Sequence, residues 1–291
     1  MCKRLMFLIS LVFVLGMVTS AVADDYDWTN DYPWSVLWIS PWNWDGPTPY
    51  GGPGPGDRAY IESGPMGPVV DTDATAYEIQ GPARGGGGDQ EMLLIKDCNL
   101  VVGFWGLRGE EEDPSRGIIT MADNAKVVTN GFRVHDEHAK GILNMTDDTQ
   151  FISTYDFRFG DQDDEYFELN MSGNAYLFVE DAGDQMRQNN GEFHFDISEN
   201  AIMEVARIRA RARTEGVTNT VTVRDNGQII CFDDYFRFAG GGSDVVVNVL
   251  DNGIVDADGY IGFGEDNDFA ATATINMSGQ LMKGDGWRMI M

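Results

Sequence analysis

Apolar and polar residues alternate in a short segment that recurs eight times between Met92 and the end of the chain. In each copy two apolar positions flank one position that is mostly polar, which is typical of a β-strand with one buried face. The first apolar position holds Leu93, Ile119, Leu143, Leu169, Phe195, Val221, Val247 and Ile275. The second holds Ile95, Met121, Met145, Met171, Ile197, Val223, Val249 and Met277.

Two further segments follow the first strand in the repeat. The second is predicted to turn Val101 and Gly103 inward in the first copy, and Val127 and Thr129 in the next. The third is aromatic and contains arginine, and it reads Phe132-Arg133-Val134, Phe157-Arg158-Phe159, Phe236-Arg237-Phe238 and Trp287-Arg288-Met289. The pattern therefore predicts three strands in each repeat.

A polar residue, which we call the anchor, ends the first strand of most copies. The anchors are Asn124, Asp148, Asn174, Asn200, Asn226 and Asn252, with Cys98 and Gln280 in the outermost copies. Asn followed by Gly or Ala tolerates a positive φ at low cost, so the anchor is predicted to be the turn residue. Anchors stacked at strand spacing are expected to form a side-chain ladder.

These features predict an all-β fold, a right-handed parallel β-solenoid of about eight coils of ~26 residues. The alternative is a leucine-rich repeat, whose core pattern overlaps this one. Its leading apolar position would fall on polar residues such as Arg116, Lys140 and Glu192. The connecting segments are also rich in Gly, Asp and Asn, which disfavours a helix on the convex side.

The first 23 residues have the features of a secretory signal peptide. Lys3 and Arg4 precede an apolar run over residues 5–17, and small residues around Ala21 and Ala23 form a cleavage site. We expect cleavage after Ala23 and a secreted, extracellular or cell-surface location. No other apolar stretch approaches the roughly 20 residues of a transmembrane helix, so none is expected in the mature chain.

Two cysteines remain after such cleavage, Cys98 and Cys231. They fall about five coils apart, or some 24 Å at strand spacing, whereas a disulfide needs Cα atoms within about 7 Å. Both are therefore predicted to be free thiols.

Residues 24–75 are rich in Trp, Gly and Pro and are predicted to cap the first coil of a solenoid domain at 76–291. The tryptophans in question are Trp28, Trp34, Trp38, Trp42 and Trp44. An alternative function for them is an aromatic platform that stacks on sugar rings. The chain ends inside a coil, which predicts either a solenoid domain truncated at its C-terminus or an end covered by a partner.

The segment from Asn43-Trp44 through Gly46-Pro47 to Gly56-Asp57, followed by coils ending in Asn-Gly or Asn-Ala, carries a resemblance. It is similar to exported bacterial parallel β-helix repeat proteins, including autotransporter-passenger-like and other surface solenoid proteins. The resemblance implies adhesion, surface display or a matrix role, and in some members polysaccharide cleavage.

Composition narrows the choice of partners. Lys and Arg number 20 against 47 Asp and Glu, a formal charge of −27, which excludes a generic nucleic-acid binder. Clustered carboxylates make calcium a candidate ligand, above all in the loop with Asp161, Asp163, Asp164 and Glu165. Acids also recur one residue before most of the anchors, and they have a simpler interpretation as solvated turn residues.

The arginines are the main candidates for binding. Arg207, Arg209, Arg211 and Arg213 alternate along one predicted strand, and a 26-residue period stacks Asp181, Arg207 and Asp233 and puts Arg187 beside Arg213. This group could hold an acidic polysaccharide, or it could be a charge ladder that relieves repulsion in an acidic protein. His135, His138 and His194 form a weaker candidate for a metal triad, and a solvated loop is the simpler interpretation of these residues.

Near-identical turns from coil to coil favour a non-catalytic structural or adhesive protein that contacts surface or matrix polysaccharides or other surface proteins. Two alternatives remain open: a polysaccharide lyase or hydrolase on the same scaffold, and a carbohydrate-binding module.

Overall fold

The computed structural model describes residues 24–29, 37–38, 44–46, 52–61, 67–81, 90–107, 117–134, 138–160, 165–180, 186–210, 214–233, 235–238, 243–263 and 273–283. Across these ranges the chain forms 25 β-strands in two sheets and no helix. Each repeat contributes strands to both sheets, which matches the parallel β-solenoid and differs from the leucine-rich repeat, where each repeat supplies one strand.

Sheet B is built from the first strand of each repeat, and all its neighbours are parallel. Its nine strands are β4 (Val69–Val70), β6 (Gln90–Lys96), β8 (Gly117–Ala122), β10 (Lys140–Met145), β12 (Tyr166–Met171), β15 (Glu192–Ile197), β18 (Thr218–Val223), β21 (Asp244–Val249) and β24 (Ala273–Met277). Register follows the repeat, so Leu143 pairs with Leu169 and Met145 with Met171.

Sheet A contains the second strand of each repeat. Its path is β2 (Trp44–Asp45), β1 (Asp25–Trp28), β3 (Arg58–Tyr60), β5 (Ala74–Gly81), β7 (Asn99–Leu107), β9 (Lys126–Val134), β11 (Gln150–Phe159), β13 (Tyr176–Val179), β16 (Ile202–Val205), β19 (Gln228–Cys231), β22 (Ile254–Ala257) and β25 (Gln280–Lys283). Only β1 and β2 are antiparallel. Because β1 and β3 already belong to sheet A, the sheet starts inside the segment that was expected to cap it.

A third face branches from sheet A. The long strands β7, β9 and β11 continue onto it, and the later coils use separate three-residue strands. These are β14 (Met186–Gln188), β17 (Ile208–Ala210), β20 (Phe236–Phe238) and β23 (Ile261–Phe263). Each is parallel to the next, beginning with the pairing of β11 and β14.

The predicted parallel β-solenoid is confirmed, and its coil count differs slightly from the prediction. The stack makes about six turns, with partial turns at both ends, rather than eight. Met277 also differs from the prediction, because its side chain is 53% exposed whereas the other residues of the second apolar column are buried. It lies on β24, which is the edge strand of sheet B within the described residues.

The turn between sheets B and A uses a different residue from the one predicted. Positive φ values fall on the residue before the anchor, as at Asp123 (61°), Asp147 (59°) and Glu199 (59°), and not on the anchor itself. The column of acids before the anchors therefore occupies left-handed backbone, which Asp tolerates better than most side chains. Gly173 (70°) takes the same place in its coil.

The first unit is shifted by one residue. Leu100 pairs with Val127 and Val102 with Thr129, so Leu100 and Val102 point inward in place of Val101 and Gly103. The cause is a turn that is one residue shorter, which also buries Cys98 rather than using it as an anchor.

Aromatic rings fill the core of the middle coils. Phe157 is fully buried and its ring lies 4.8 Å from Phe132, 6.0 Å from Phe151 and 5.9 Å from Phe167 between centroids. The three neighbours come from different sheets or coils, so these rings join the walls of the solenoid across its interior. Pairs at such distances add stabilisation beyond the apolar area that they bury.

The described cysteines and tryptophans are buried. Cys98 and Cys231 are free thiols, as predicted, and burial raises the pKa of Cys98 to about 11. Trp28, Trp38 and Trp44 pack edge to face with centroids 5.1 and 4.9 Å apart and are at most 7% exposed. These three rings offer no platform for sugars, while Trp34 and Trp42 lie outside the described residues.

No helix among the described residues has the length and apolar character needed to cross a membrane.

Replacement of Phe157 by Ala should lower the free energy of unfolding by about 3–5 kcal/mol, because it leaves a cavity between three rings that cannot all collapse onto it. The matched control is Tyr155→Ala, two residues away, whose side chain is 49% exposed and should matter by less than about 1 kcal/mol. Denaturant titration of both variants measures the difference. Equal losses would contradict this account of the core.

Candidate functional site

Five arginines stack in consecutive coils on the third face. Arg133 pairs with Arg158, Arg158 with Arg187, Arg187 with Arg209, and Arg209 with Arg237. We call Arg133, Arg158, Arg187, Arg209 and Arg237 the arginine column. Glycines occupy the neighbouring positions at both ends, Gly106 before Arg133 and Gly262 after Arg237.

Local strand geometry explains why arginine is the outward residue of β14, β17 and β20 on the third face. In β14, β17 and β20 the two outer residues are buried and the middle residue is half-buried. A strand of three residues with alternating faces has one outward position, and that position is arginine in each of the three. The third face is therefore a single line of guanidinium groups over buried residues that are apolar except for Gln188.

One buried carboxylate neutralises the first end of the column. Asp156 is fully buried, and its two oxygens accept hydrogen bonds from Nε of Arg133 at 2.6 Å and Nε of Arg158 at 2.8 Å. The register shifts between Ser153 and Asp156, where β11 has one more residue than β9. This bulge places an acid opposite Gly131, which has no side chain to occupy the space.

The arginines at the centre of the column have no such partner. No carboxylate in the described part of the chain pairs with Arg187 or Arg209, and the Nε atom of each is buried without an acceptor. Both side chains are half-buried. Their terminal nitrogens are thus the atoms available to an incoming anion.

The sequence-predicted binding residues are only partly brought together. Arg207 lies beside Asp233, with NH2 3.7 Å from a carboxylate oxygen, as the stacked column of Asp181, Arg207 and Asp233 anticipated for that pair. Asp181, Arg211 and Arg213 lie outside the described residues.

The predicted pairing of Arg187 with Arg213 is wrong, because Arg187 stands between Arg158 and Arg209. Successive members of the column are 25, 29, 22 and 28 residues apart, so loops of unequal length break the 26-residue period on this face.

Of the predicted calcium loop only Glu165 is described, and it is buried at 1% exposure, while Asp161, Asp163 and Asp164 lie outside the described ranges. Elsewhere in those ranges no three His, Cys, Asp or Glu side chains are grouped so as to hold a metal ion. Several acids before the anchors instead accept backbone hydrogen bonds from the preceding coil. Glu199 accepts from the Gly173 amide at 2.6 Å and Asp147 from the Asp123 amide at 3.2 Å.

The anchors form two separate runs of side-chain hydrogen bonds. Asn252 donates to Asn226 and Asn226 to Asn200, each at 3.2 Å, and Asn174 donates to Asp148 at 2.8 Å. Asn124 donates to Asp97, which takes the place of an anchor in the shortened first turn. The backbone N–H groups of the anchors also donate hydrogen bonds to the carbonyl oxygen of the positive-φ residue one coil earlier, as Asn200 does to Gly173 at 2.9 Å.

A polar cluster lies on the outer face of sheet B, and of its residues only His194 was predicted from the sequence, as a candidate metal ligand with His135 and His138. His194 contacts Glu192 through Nε2 and Thr220 through Nδ1, both at 2.6 Å. Tyr166, whose ring centroid is 5.4 Å from that of His194, donates to Glu168 at 2.7 Å. The available signal was that the same outward positions hold Thr218 and Thr220 in the next coil and Asp244 and Val246 in the one after it.

The outer face of sheet A carries apolar side chains. Phe178 and Phe232 stack nearly parallel, with centroids 5.8 Å apart, and Tyr176 lies beside Phe178. The Tyr176 hydroxyl donates to Glu204 at 2.7 Å, and burial together with this bond raises its pKa. This half-buried row offers an apolar contact surface on a different side from the arginine column.

Comparison of the chain with models of known protein families, with curated proteins and with solved structures gave no match.

Asp156→Asn should lower the free energy of unfolding by about 2 kcal/mol, because Arg133 and Arg158 keep their charges and lose the carboxylate that they share. Asp233→Asn serves as the control, since Asp233 is 57% exposed and its ion pair with Arg207 is worth at most about 1 kcal/mol. Thermal and denaturant unfolding of both variants give the comparison. An Asp156 variant no less stable than the control would contradict this role for Asp156.

Proposed function

We propose that the protein is a secreted or cell-surface, non-catalytic scaffold that acts in adhesion or in an extracellular matrix. The observation that carries the proposal is the continuity of the stack: side-chain and backbone hydrogen bonds repeat at the turns from coil to coil. Such a stack is a long regular surface whose coils support only their neighbours, which suits a spacer or an adhesive.

Export is supported by the N-terminal sequence. Lys3, Arg4 and the apolar run before Ala23 match a secretory signal. The buried thiols and the absence of a disulfide between Cys98 and Cys231 are compatible with an oxidising compartment, because burial keeps the thiols out of exchange.

The faces of the solenoid supply the contact surfaces that adhesion needs. The apolar row at Tyr176, Phe178 and Phe232 and the arginine column are both half-buried and lie on different faces. The partner class that fits both is a surface or matrix polysaccharide, whose sugars combine apolar C–H faces with polar or acidic groups.

A second function is favoured by the cluster on sheet B. His194 and Glu192 are within hydrogen-bond distance and could transfer a proton, with Tyr166 and Glu168 alongside. This arrangement supports a polysaccharide lyase or hydrolase. Against it, the contacts of these groups are made mostly with one another, as in a cross-strand polar network.

Expression of the full chain in a bacterial host, followed by fractionation and mass spectrometry, tests the proposal. We expect a processed chain that begins at Asp24, found outside the cytoplasm. Incubated with uronate-containing and neutral polysaccharides, with and without calcium, it should release no soluble products.

Retention of the unprocessed chain in the cytoplasm would overturn the extracellular role. Product release that is lost in His194→Gln and kept in Arg224→Gln would overturn the non-catalytic role and select the enzyme. Arg224 is the matched control because it is also a surface residue near sheet B, paired with Asp196 at 3.1 Å.

A further inference from the structure

We propose that the arginine column binds a linear acidic polysaccharide along the solenoid axis, with its anionic groups in step with the coils. The inference deepens the proposed function, because it rests on an extracellular partner and names that partner's chemistry.

The spacing of the column suits a polymer better than a single ion. Five arginines span four strand separations of about 4.8 Å each, or about 19 Å. In an extended polysaccharide with one carboxylate or sulfate per sugar, each residue advances by a distance similar to one strand separation. Guanidinium groups bind such anions through two parallel hydrogen bonds, which lysine cannot do.

The charge balance of the described part of the column favours an anionic partner. Like charges opposite each other on neighbouring strands destabilise a sheet, by about 1 kcal/mol per pair in water at such distances. The chain has 47 acidic residues, yet within the described coils none pairs with Arg187 or Arg209. An anion from outside would relieve this repulsion and satisfy the terminal nitrogens.

The two ends of the column define where the ligand lies. Arg133 and Arg158 share Asp156, and Arg133 also lies over the Phe104 ring at 4.9 Å, so these two are already committed to the protein. The free binding capacity is therefore centred on Arg187 and Arg209. Beyond Arg237 the outward position is Gly262, which is buried, and a ring carbon of Tyr260 lies 3.1 Å from the point where a Gly262 Cβ would stand, so the arginine column ends against an aromatic side chain.

Aromatic side chains beside the column fit a sugar ligand. Tyr235 lies two residues before Arg237, and Tyr260 lies two residues before Gly262 in the next coil. Their ring centroids are 5.3 Å apart, and both side chains are half-buried. A nucleic acid would also bring anionic groups, but its binding usually depends on a broadly basic domain. The net charge of −27 confines positive potential to local features such as this column.

The test is binding of the full chain to dextran sulfate and to polygalacturonate, with neutral dextran as the uncharged polymer, by calorimetry or biolayer interferometry. Arg187→Gln/Arg209→Gln should weaken binding of both acidic polymers by at least about tenfold. Lys126→Gln/Lys140→Gln removes the same charge from half-buried positions on sheets A and B and should change binding less than about threefold. Circular dichroism confirms that each variant is folded.

Ionic strength and ligand length sharpen the result. Raising the ionic strength from about 0.01 to about 0.1 M shortens the screening length from about 30 to about 10 Å and should weaken binding. Short acidic oligosaccharides should bind more tightly as they lengthen up to the span of the column.

Equal losses in the two double variants, or equal binding of dextran and dextran sulfate, would overturn the proposal, as would tighter binding of a single-stranded oligonucleotide. These outcomes are independent of the export experiment. A chain that is exported and binds no acidic polymer contradicts only the ligand, and a chain that binds one but stays in the cytoplasm contradicts only the extracellular role.

Discussion

Parallel pairing at one strand separation between successive coils is the constraint on which this structure depends. Because β10 and β12 pair in register, each side chain of β10 lies beside its counterpart in β12. The inward columns then become a continuous core, and the outward columns become lines of repeated chemistry. A residue that is favourable in one coil is favourable again about 4.8 Å away, and a charge is repeated in the same way.

This constraint accounts for both the stability and the surface of the molecule. Amide side chains such as Asn226 can donate to one neighbour and accept from the other, so ladders satisfy them without further partners. Arginines cannot do this, because guanidinium groups only donate hydrogen bonds. Asp156 supplies the acceptor at one end of the column, and the lack of a described carboxylate beside Arg187 and Arg209 is the basis for the binding surface proposed on the third face.

Most of the fold could be predicted from the sequence because the strands of sheets A and B keep a nearly constant period. Alternation at Leu143, Met145 and Phe151 was enough to place two strands and the core between them. Features that depend on the exact length or conformation of a turn could not be predicted from the sequence. The short turn at Cys98 shifts the first coil, and positive φ falls on Asp123 rather than on Asn124.

The candidate site was harder to predict, since it lies on the face with the most variable loops. The arginines between Arg207 and Arg213 were predicted to bind because they are close together along the chain. In the structure, Arg209 instead pairs with Arg187 and Arg237 of the neighbouring coils. Separations of 22 and 28 residues cannot be recognised from a 26-residue period.

The central claim is therefore the register of this face, and thiol crosslinking tests it most directly. With a reagent that spans about one strand separation, Arg187→Cys/Arg209→Cys should crosslink within the monomer. Crosslinking of Arg187→Cys/Arg213→Cys in its place would contradict the register and with it the arginine column.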